Sequence, residues 1–446
     1  MVRWAMVLGG ALLGLACSGG EGSAGSGTDT TGSGPGTTGA SGAVSSASAG
    51  STGSGVATEA GPTTGGDPTG SPTTGSDPTG APTTGGSTSS GTSESSTGGD
   101  TGAVPPGSTI PVGDGDYFLL GANYPWASYG GDFGGNAWGV YGVHTKQGEI
   151  GGHFDAMAGM GLRVVRWFVF TDGRAGIAFA GDGTPTGLGE HVLEDMSAAV
   201  AIARARGVYL VPVLFDFHWM FWAQHNNGVQ MGGHSDTIRE ANKRAALVEA
   251  VVVPLLQAFA DEPTILAWEI MNEPEWSIAD LPAASPDGNA DAVPLADFYA
   301  LAGAIAEAVH THTSAYVTLG SASLKWYRVW TPEFALERGF SPLGLDFYQT
   351  HYYPWMDGQM WNGDPELGTT HFSPTVQHYA DLGLDKPMVV GELIVSDQAE
   401  ARLDTLLANG YAGAWPWSLT SDYSLDGPGL AAWASAHAGL VGLPPP

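Results

Sequence analysis

From Tyr117 onward the chain alternates two hydrophobic patterns. Short, almost continuous apolar runs such as "LRVVRWFVF" (Leu162–Phe170) and "VYLVPVLFDFHW" (Val208–Trp219) predict buried strands. Between them lie longer stretches with apolar residues three and four positions apart, such as "EDMSAAVAIARARG" (Glu194–Gly207), which predict helices closed by glycine. The strand candidates are Tyr117–Trp126, Leu162–Phe170, Val208–Trp219, Thr264–Pro274, Ala315–Ser321, Leu345–Tyr353, Pro387–Val395 and Tyr411–Leu419. Helices are predicted over His153–Gly161, Glu194–Gly207, Arg239–Ala260, Pro294–His310 and Gln398–Gly410. Such βα alternation predicts a parallel sheet, and eight strands of it predict an α/β fold of the closed (β/α)8 barrel type. The rival, an open doubly wound sheet, would carry a glycine-rich phosphate loop after an early strand, and the sequence has none.

The N-terminal part is different in kind. Residues 18–106 are almost wholly Gly, Ser, Thr, Ala and Pro, with no Lys, Arg or aromatic residue. Such a segment buries too little apolar surface to offset its ordering entropy, so it is expected to be a disordered linker. A ten-residue unit recurs in it from Pro62, Pro72 and Pro82, but the units have no apolar side chain to stack and so do not predict a solenoid. As a flexible coil its ends would sit about 50 Å apart. Before it, Arg3 precedes an apolar run from Trp4 to Ala16, too short to span a membrane and suited to a signal peptide. That run ends at Cys17, the only cysteine of the chain, which excludes an internal disulfide. "GLAC" resembles the bacterial lipobox, with Gly14 where leucine is usual. The resemblance implies a lipid on Cys17 and a protein tethered to the cell envelope or surface. The expected domains are therefore a signal peptide over 1–17, a linker over 18–106 and a catalytic barrel over 107–446.

A net charge of −30 argues against nucleic acid or an anionic membrane surface as a partner and suits a neutral ligand. In a barrel, the polar residues at strand C-terminal ends face one mouth. Those ends carry Asn123, Arg166, Asp216, His218, Asn272, Glu273, His351, Tyr353, Glu392 and Trp417. Two glutamates flanking a cleft suit glycoside hydrolysis, in which one carboxyl is held protonated for the leaving oxygen and the other is ionised to attack C1. An arginine near the second would keep it charged. Asn123, Tyr124 and Trp126 read as structural or outer-cleft residues, and Trp415 competes with Trp417 for a place at the mouth. His310 and His312 have the spacing of metal ligands but read as helix-end histidines, and no constellation supports a metal site.

In order along the chain, "RVVRW", "NEP", "HYY", "GEL" and "WPWS" each fall at a predicted strand end. Together they resemble glycoside hydrolases of clan A, most closely family 5, the cellulase and β-mannanase family. The resemblance implies a retaining hydrolase without a cofactor, acting on a β-1,4-linked polysaccharide. It further implies that Glu273 is the acid/base and Glu392 the nucleophile. Asn272 would bond the sugar 2-hydroxyl, Arg166 would sit under Glu392, and Tyr353 would donate to Glu392. His351 would lie beside the acid/base, His218 would reach the sugar, and Trp417 would floor the subsite of the attacked ring. "RWFVFTDG" is similar to β-mannanases, whereas "DFHW" is closer to cellulase-type members and Glu275 stands where mannanases often have arginine. Mannan is placed slightly ahead of glucan; an endoglucanase or exo-β-glucosidase is the alternative within the family. A carbohydrate-binding protein on a dead scaffold would need neither glutamate.

If Cys17 carries the anchor, Cys17→Ala should release the protein from the membrane fraction or block its maturation. Unchanged fractionation would remove the tether.

Overall fold

The computed structural model describes residues 104–283, 286–364, 367–420 and 425–446. Cys17, the apolar run before it and the linker up to residue 103 lie outside the described residues. Eight parallel strands close into a barrel in chain order. They are β1 (Leu119–Asn123), β2 (Val164–Phe168), β3 (Tyr209–Asp216), β4 (Ala267–Asn272), β5 (Tyr316–Ser321), β6 (Tyr348–Tyr352), β7 (Met388–Leu393) and β8 (Gly413–Pro416). Each falls inside a run expected to be a strand. The helices around them include α1 (Gln147–Gly159), α2 (Val192–Arg204), a composite α3 (241–258), α4 (Leu295–His312), a short α5 (Pro332–Glu337), α6 (Ala399–Ala408) and α7 (Gly427–Ala436).

Two buried apolar clusters follow from strand alternation. Leu119, Val164, Val211, Phe347, Val389 and Trp415 fill the barrel's lower interior, and Ile110 and Val112 join them from below. Those last two belong to an antiparallel hairpin, Ile110–Val112 with Gly115–Tyr117, which the helix-and-strand pattern did not anticipate. The opposite strand faces pack on the helices in one large core. Glycine is needed at Gly121, where a Cβ would stand 2.3 Å from the Val164 carbonyl oxygen and 2.7 Å from the Trp415 ring.

Three departures from the expected pattern have physical causes. The long helix 239–260 starts later and contains a π turn at Val248–Val252, next to Pro254, which lacks an N–H and crowds the carbonyl four residues back. Among the described residues no α-helix joins β6 to β7; a hairpin of Met360–Asp364 with Gly368–His371 and a 3-10 turn at Tyr379–Leu382 lie in the connection. Bulges interrupt period two at the mouth. In β4 the register shifts between Glu269 and Asn272, so Ile270 and Met271 both join the outer core while Glu269 and Asn272 both point inward. In β7 a shift between Val390 and Leu393 likewise turns Glu392 to the interior.

Candidate active site

Arg166 sits at the centre of the mouth, fully buried in the middle of β2 rather than at its end. Its Nε and Nη2 donate to the two oxygens of Glu269 at 2.7 and 2.5 Å. Nη1 donates to Glu392 at 2.7 Å and to Asn123 at 3.0 Å, and Nη2 also donates to Asn272 at 2.7 Å. All five donors of the guanidinium are thereby used. Gly320 on β5 leaves the room, since a Cβ there would stand 2.4 Å from a Glu269 oxygen. Asn123, after accepting from Arg166, donates to the carbonyls of Gly391 and Trp415 at 2.8 Å each, binding β1 to β7 and β8.

The two glutamates singled out from the sequence have unlike surroundings. Glu392 lies between Arg166 and Tyr353, whose hydroxyl donates to it at 2.5 Å. Burial pushes its pKa above the ordinary carboxylate range, against the pull of His351 and Arg166. Glu273 follows β4 in the left-handed region, at φ 46°, a conformation uncommon for any residue but glycine and held here by a bond from its N–H to the Gly320 carbonyl at 2.7 Å. Its carboxyl accepts from Trp276 Nε1 at 2.9 Å and lies 2.7 Å from His351 Nδ1. Burial raises its pKa to about 7, with the Asp216 charge adding to the rise and the Trp276 bond opposing it. His351 is itself wholly buried, and burial lowers its pKa to about 4, so the imidazole is neutral. One oxygen each of Glu273 and Glu392 and a nitrogen of His351 lie within 4.8 Å of one another. That is the short carboxylate separation of retaining glycosidases, about 5 Å, rather than the wider gap that seats a water in inverting ones.

The other expected residues surround this pair. Asn272 accepts from Arg166 and donates to Asp216 at 2.7 Å, which fixes which way its amide points. Asp216 also bonds His218 Nδ1 and the His218 N–H. Burial disfavours both charges, yet their attraction wins: Asp216 titrates below its usual value and His218 above. His218 thus presents its other nitrogen at a partly exposed rim. Trp417 is half-buried at the mouth, edge-on to Trp126 at 6.2 Å and Phe168 at 6.3 Å. Trp415 is buried below, donating to the Leu119 carbonyl at 3.1 Å, which resolves the competition between them. Among the other tryptophans, Trp219, Trp326 and Trp330 belong to the core, whereas Trp222 and Trp355 are 59% and 52% exposed.

Three residues escaped the strand-end reading. Glu269 lies inside β4, where a charge in an apolar run was a visible but unused signal. Trp276, three positions after Glu273, sits in the half-buried turn that its bond to Glu273 closes. Glu275 is fully buried and accepts from Ser321, Trp330 and the Ala322 N–H at 2.6, 2.9 and 3.2 Å, locking the turn after β4 to β5. Burial raises its pKa to about 7.

Glu269→Gln would set an amide N–H₂ against the Arg166 donors and leave the buried charge half-paired, at a cost of about 3–5 kcal/mol. A guanidinium chloride unfolding midpoint well below wild type is the expected result; an unchanged midpoint would mean that the pair is dispensable.

Comparison with known proteins agrees with this geometry. The sequence model of the cellulase family, glycosyl hydrolase family 5, matches residues 132–433. A mannan endo-1,4-beta-mannosidase of Mytilus edulis is 25% identical over 344 residues, 68% of this chain and 84% of that protein. One from Cryptopygus antarcticus is 25% identical over 342 residues, 71% of this chain and 84% of that protein. Among solved structures, the beta-1,4-mannanase of Aplysia kurodai superposes with a TM-score of 0.61 at 22% identity, covering 75% of this chain and 97% of that one. The barrel, its mouth and the family match together make this chain a member of glycosyl hydrolase family 5 and a glycoside hydrolase.

Proposed function

We propose that this glycoside hydrolase is an endo-acting β-1,4-mannanase that works by double displacement. The observation that carries the mechanism is the close carboxylate pair with unlike surroundings. Glu392, against a guanidinium and a phenol hydroxyl, is the ionised partner and attacks C1. As the C1–Oε bond forms, the glycosidic C1–O bond breaks and its electron pair stays with the leaving oxygen. Glu273, kept neutral by burial, gives that oxygen its proton. In the second step Glu273 takes a proton from water as the water oxygen bonds C1 and Glu392 departs. Arg166 holds Glu392 in line. Neutral His351 and the Trp276 N–H position the Glu273 carboxyl. Asn272, whose amide Asp216 orients, meets the 2-hydroxyl, His218 the outer sugar and Trp417 the ring face.

Mannan as substrate is supported by the two relatives, each named a mannan endo-1,4-beta-mannosidase. Secretion and a lipid on Cys17 are proposed from sequence alone. A reducing-sugar assay on mannan, glucomannan, carboxymethyl cellulose and xylan tests the substrate: the first two should be cleaved in mid-chain, and turnover of cellulose derivative alone would make the chain a glucanase.

The pH dependence follows from the acid. Glu273 must be protonated to act, and its raised pKa keeps it so up to about pH 7. Above that, kcat/KM on mannan oligosaccharides should fall about tenfold per pH unit. A profile flat to pH 9 would exclude Glu273 as the acid.

The two carboxylates should also separate by substitution. Glu392→Ala should abolish all turnover, since no glycosyl-enzyme forms. Glu273→Ala should still react once with an aryl mannoside whose leaving group needs no proton, and then stall. Azide should restore the rate and give a β-mannosyl azide; an α-azide, or equal and unrescued losses in both variants, would contradict the assignment.

A further inference from the structure

At the outer edge of the mouth, three side chains from two separate segments converge. His144 lies in the 3-10 turn Val143–Thr145, just before α1, at the end of the connection from β1. His191 and Glu194 lie at the start of α2, where the connection from β2 ends. One nitrogen of each histidine and one oxygen of Glu194 are within 4.8 Å of one another. His144 Nε2 is 3.9 Å and His191 Nδ1 2.9 Å from the same Glu194 oxygen, and the two rings stack at 5.0 Å.

His144 is oriented from behind. Its Nδ1 lies 2.5 Å from Oδ1 of Asp195, a fully buried carboxylate that also accepts from the N–H groups of His144 and Gly134 at 2.9 and 2.8 Å. Nδ1 thus faces Asp195, and Nε2 is the ring nitrogen that faces Glu194. A carboxylate behind a histidine whose other nitrogen points at open ligand space is the usual support of a metal-bound imidazole. Tetrahedral zinc, with bonds of about 2.0–2.1 Å, needs ligand atoms about 3.3 Å apart. The distances of 2.9 and 3.9 Å bracket that value. Two imidazoles and one carboxylate suit a borderline divalent ion rather than magnesium or calcium, which prefer oxygen alone. Partial exposure of the three residues leaves a fourth position for water. The positive end of α2 opposes a cation, but Glu194, Asp195 and a net charge of −30 act the other way.

We propose that His144, His191 and Glu194, with Asp195 positioning His144, form a site for a zinc-type divalent cation. Such an ion would tie the connection from β1 to the connection from β2. These segments carry Trp126 and Tyr129 on one side and Arg174 on the other, and Arg174 already stacks on Tyr129 at 4.3 Å. The ion therefore stiffens the wall that stands beside Trp417. Spacing in the sequence could not show the site, because its ligands come from two separate loops.

The test is calorimetric titration of the chelator-stripped full chain with zinc chloride. One saturable equivalent should bind, zinc but not magnesium should raise Tm, and Co(II) should give the intense visible bands of tetrahedral coordination. Glu194→Gln, at a side chain 58% exposed, should fold normally and weaken binding by about 100-fold, the upper end of what even an indirect ligand contact costs. His191→Asn should do the same while keeping the left-handed backbone, since His191 has φ 68° and asparagine tolerates that region. Equal Tm values in chelator would certify both variants; should either unfold, the wild-type cobalt spectrum decides. The site is overturned if wild type takes up no stoichiometric zinc, if either folded variant binds as tightly as wild type, or if bound cobalt is octahedral.

Discussion

A single buried guanidinium organises the mouth of this barrel. Taking a charge out of water costs several kcal/mol unless its donors are met, and all five donors of Arg166 are met by side chains from β1 and β7 and by two from β4. The same bonds fix the directions of Asn123, Glu269, Asn272 and Glu392. Asn123 then reaches β7 and β8, so the strand ends are stitched around most of the circumference. Burial and the Asp216 charge raise the Glu273 pKa, while Arg166 pulls it down. The unlike surroundings of the glutamates therefore begin with the arginine, which Glu392 bonds directly.

Local backbone irregularity places the groups this network needs. Plain alternation would send Asn272 and Glu392 to opposite faces from Glu269 and Val389. The bulges in β4 and β7 turn them inward, and the left-handed conformation at Glu273 aims its carboxyl at His351 and Trp276. Buried Glu275 and its three donors hold the turn that carries this conformation. The reactive geometry rests on strand ends, while Trp222 and Trp355 stand on more exposed loops.

Much of this was legible in the sequence. The βα alternation, and polar residues recurring where apolar runs end, placed all eight strands and brought Arg166, Asn272, Glu273, His351, Tyr353 and Glu392 to one face. What was not legible depended on exact geometry or on distant partners. Period two cannot reveal a bulge, so Glu269 looked like one stray charge in a strand rather than half of an ion pair with a residue more than a hundred positions earlier. The hairpin below the barrel and the β6–β7 connection lack strong periodicity. Trp415 and Trp417 share a face in sequence, and only depth along the barrel axis separates core from cleft.

The most direct test of the account is covalent capture. An activated 2-deoxy-2-fluoro-β-mannoside slows both chemical steps, and its good leaving group lets the first outrun the second, so the glycosyl-enzyme accumulates. Proteolysis and mass spectrometry of the inactivated protein then locate the sugar. The account predicts one mannosyl adduct per chain, on Glu392. A label on Glu269 or Glu273, or hydrolysis with no adduct and inverted configuration, would contradict it.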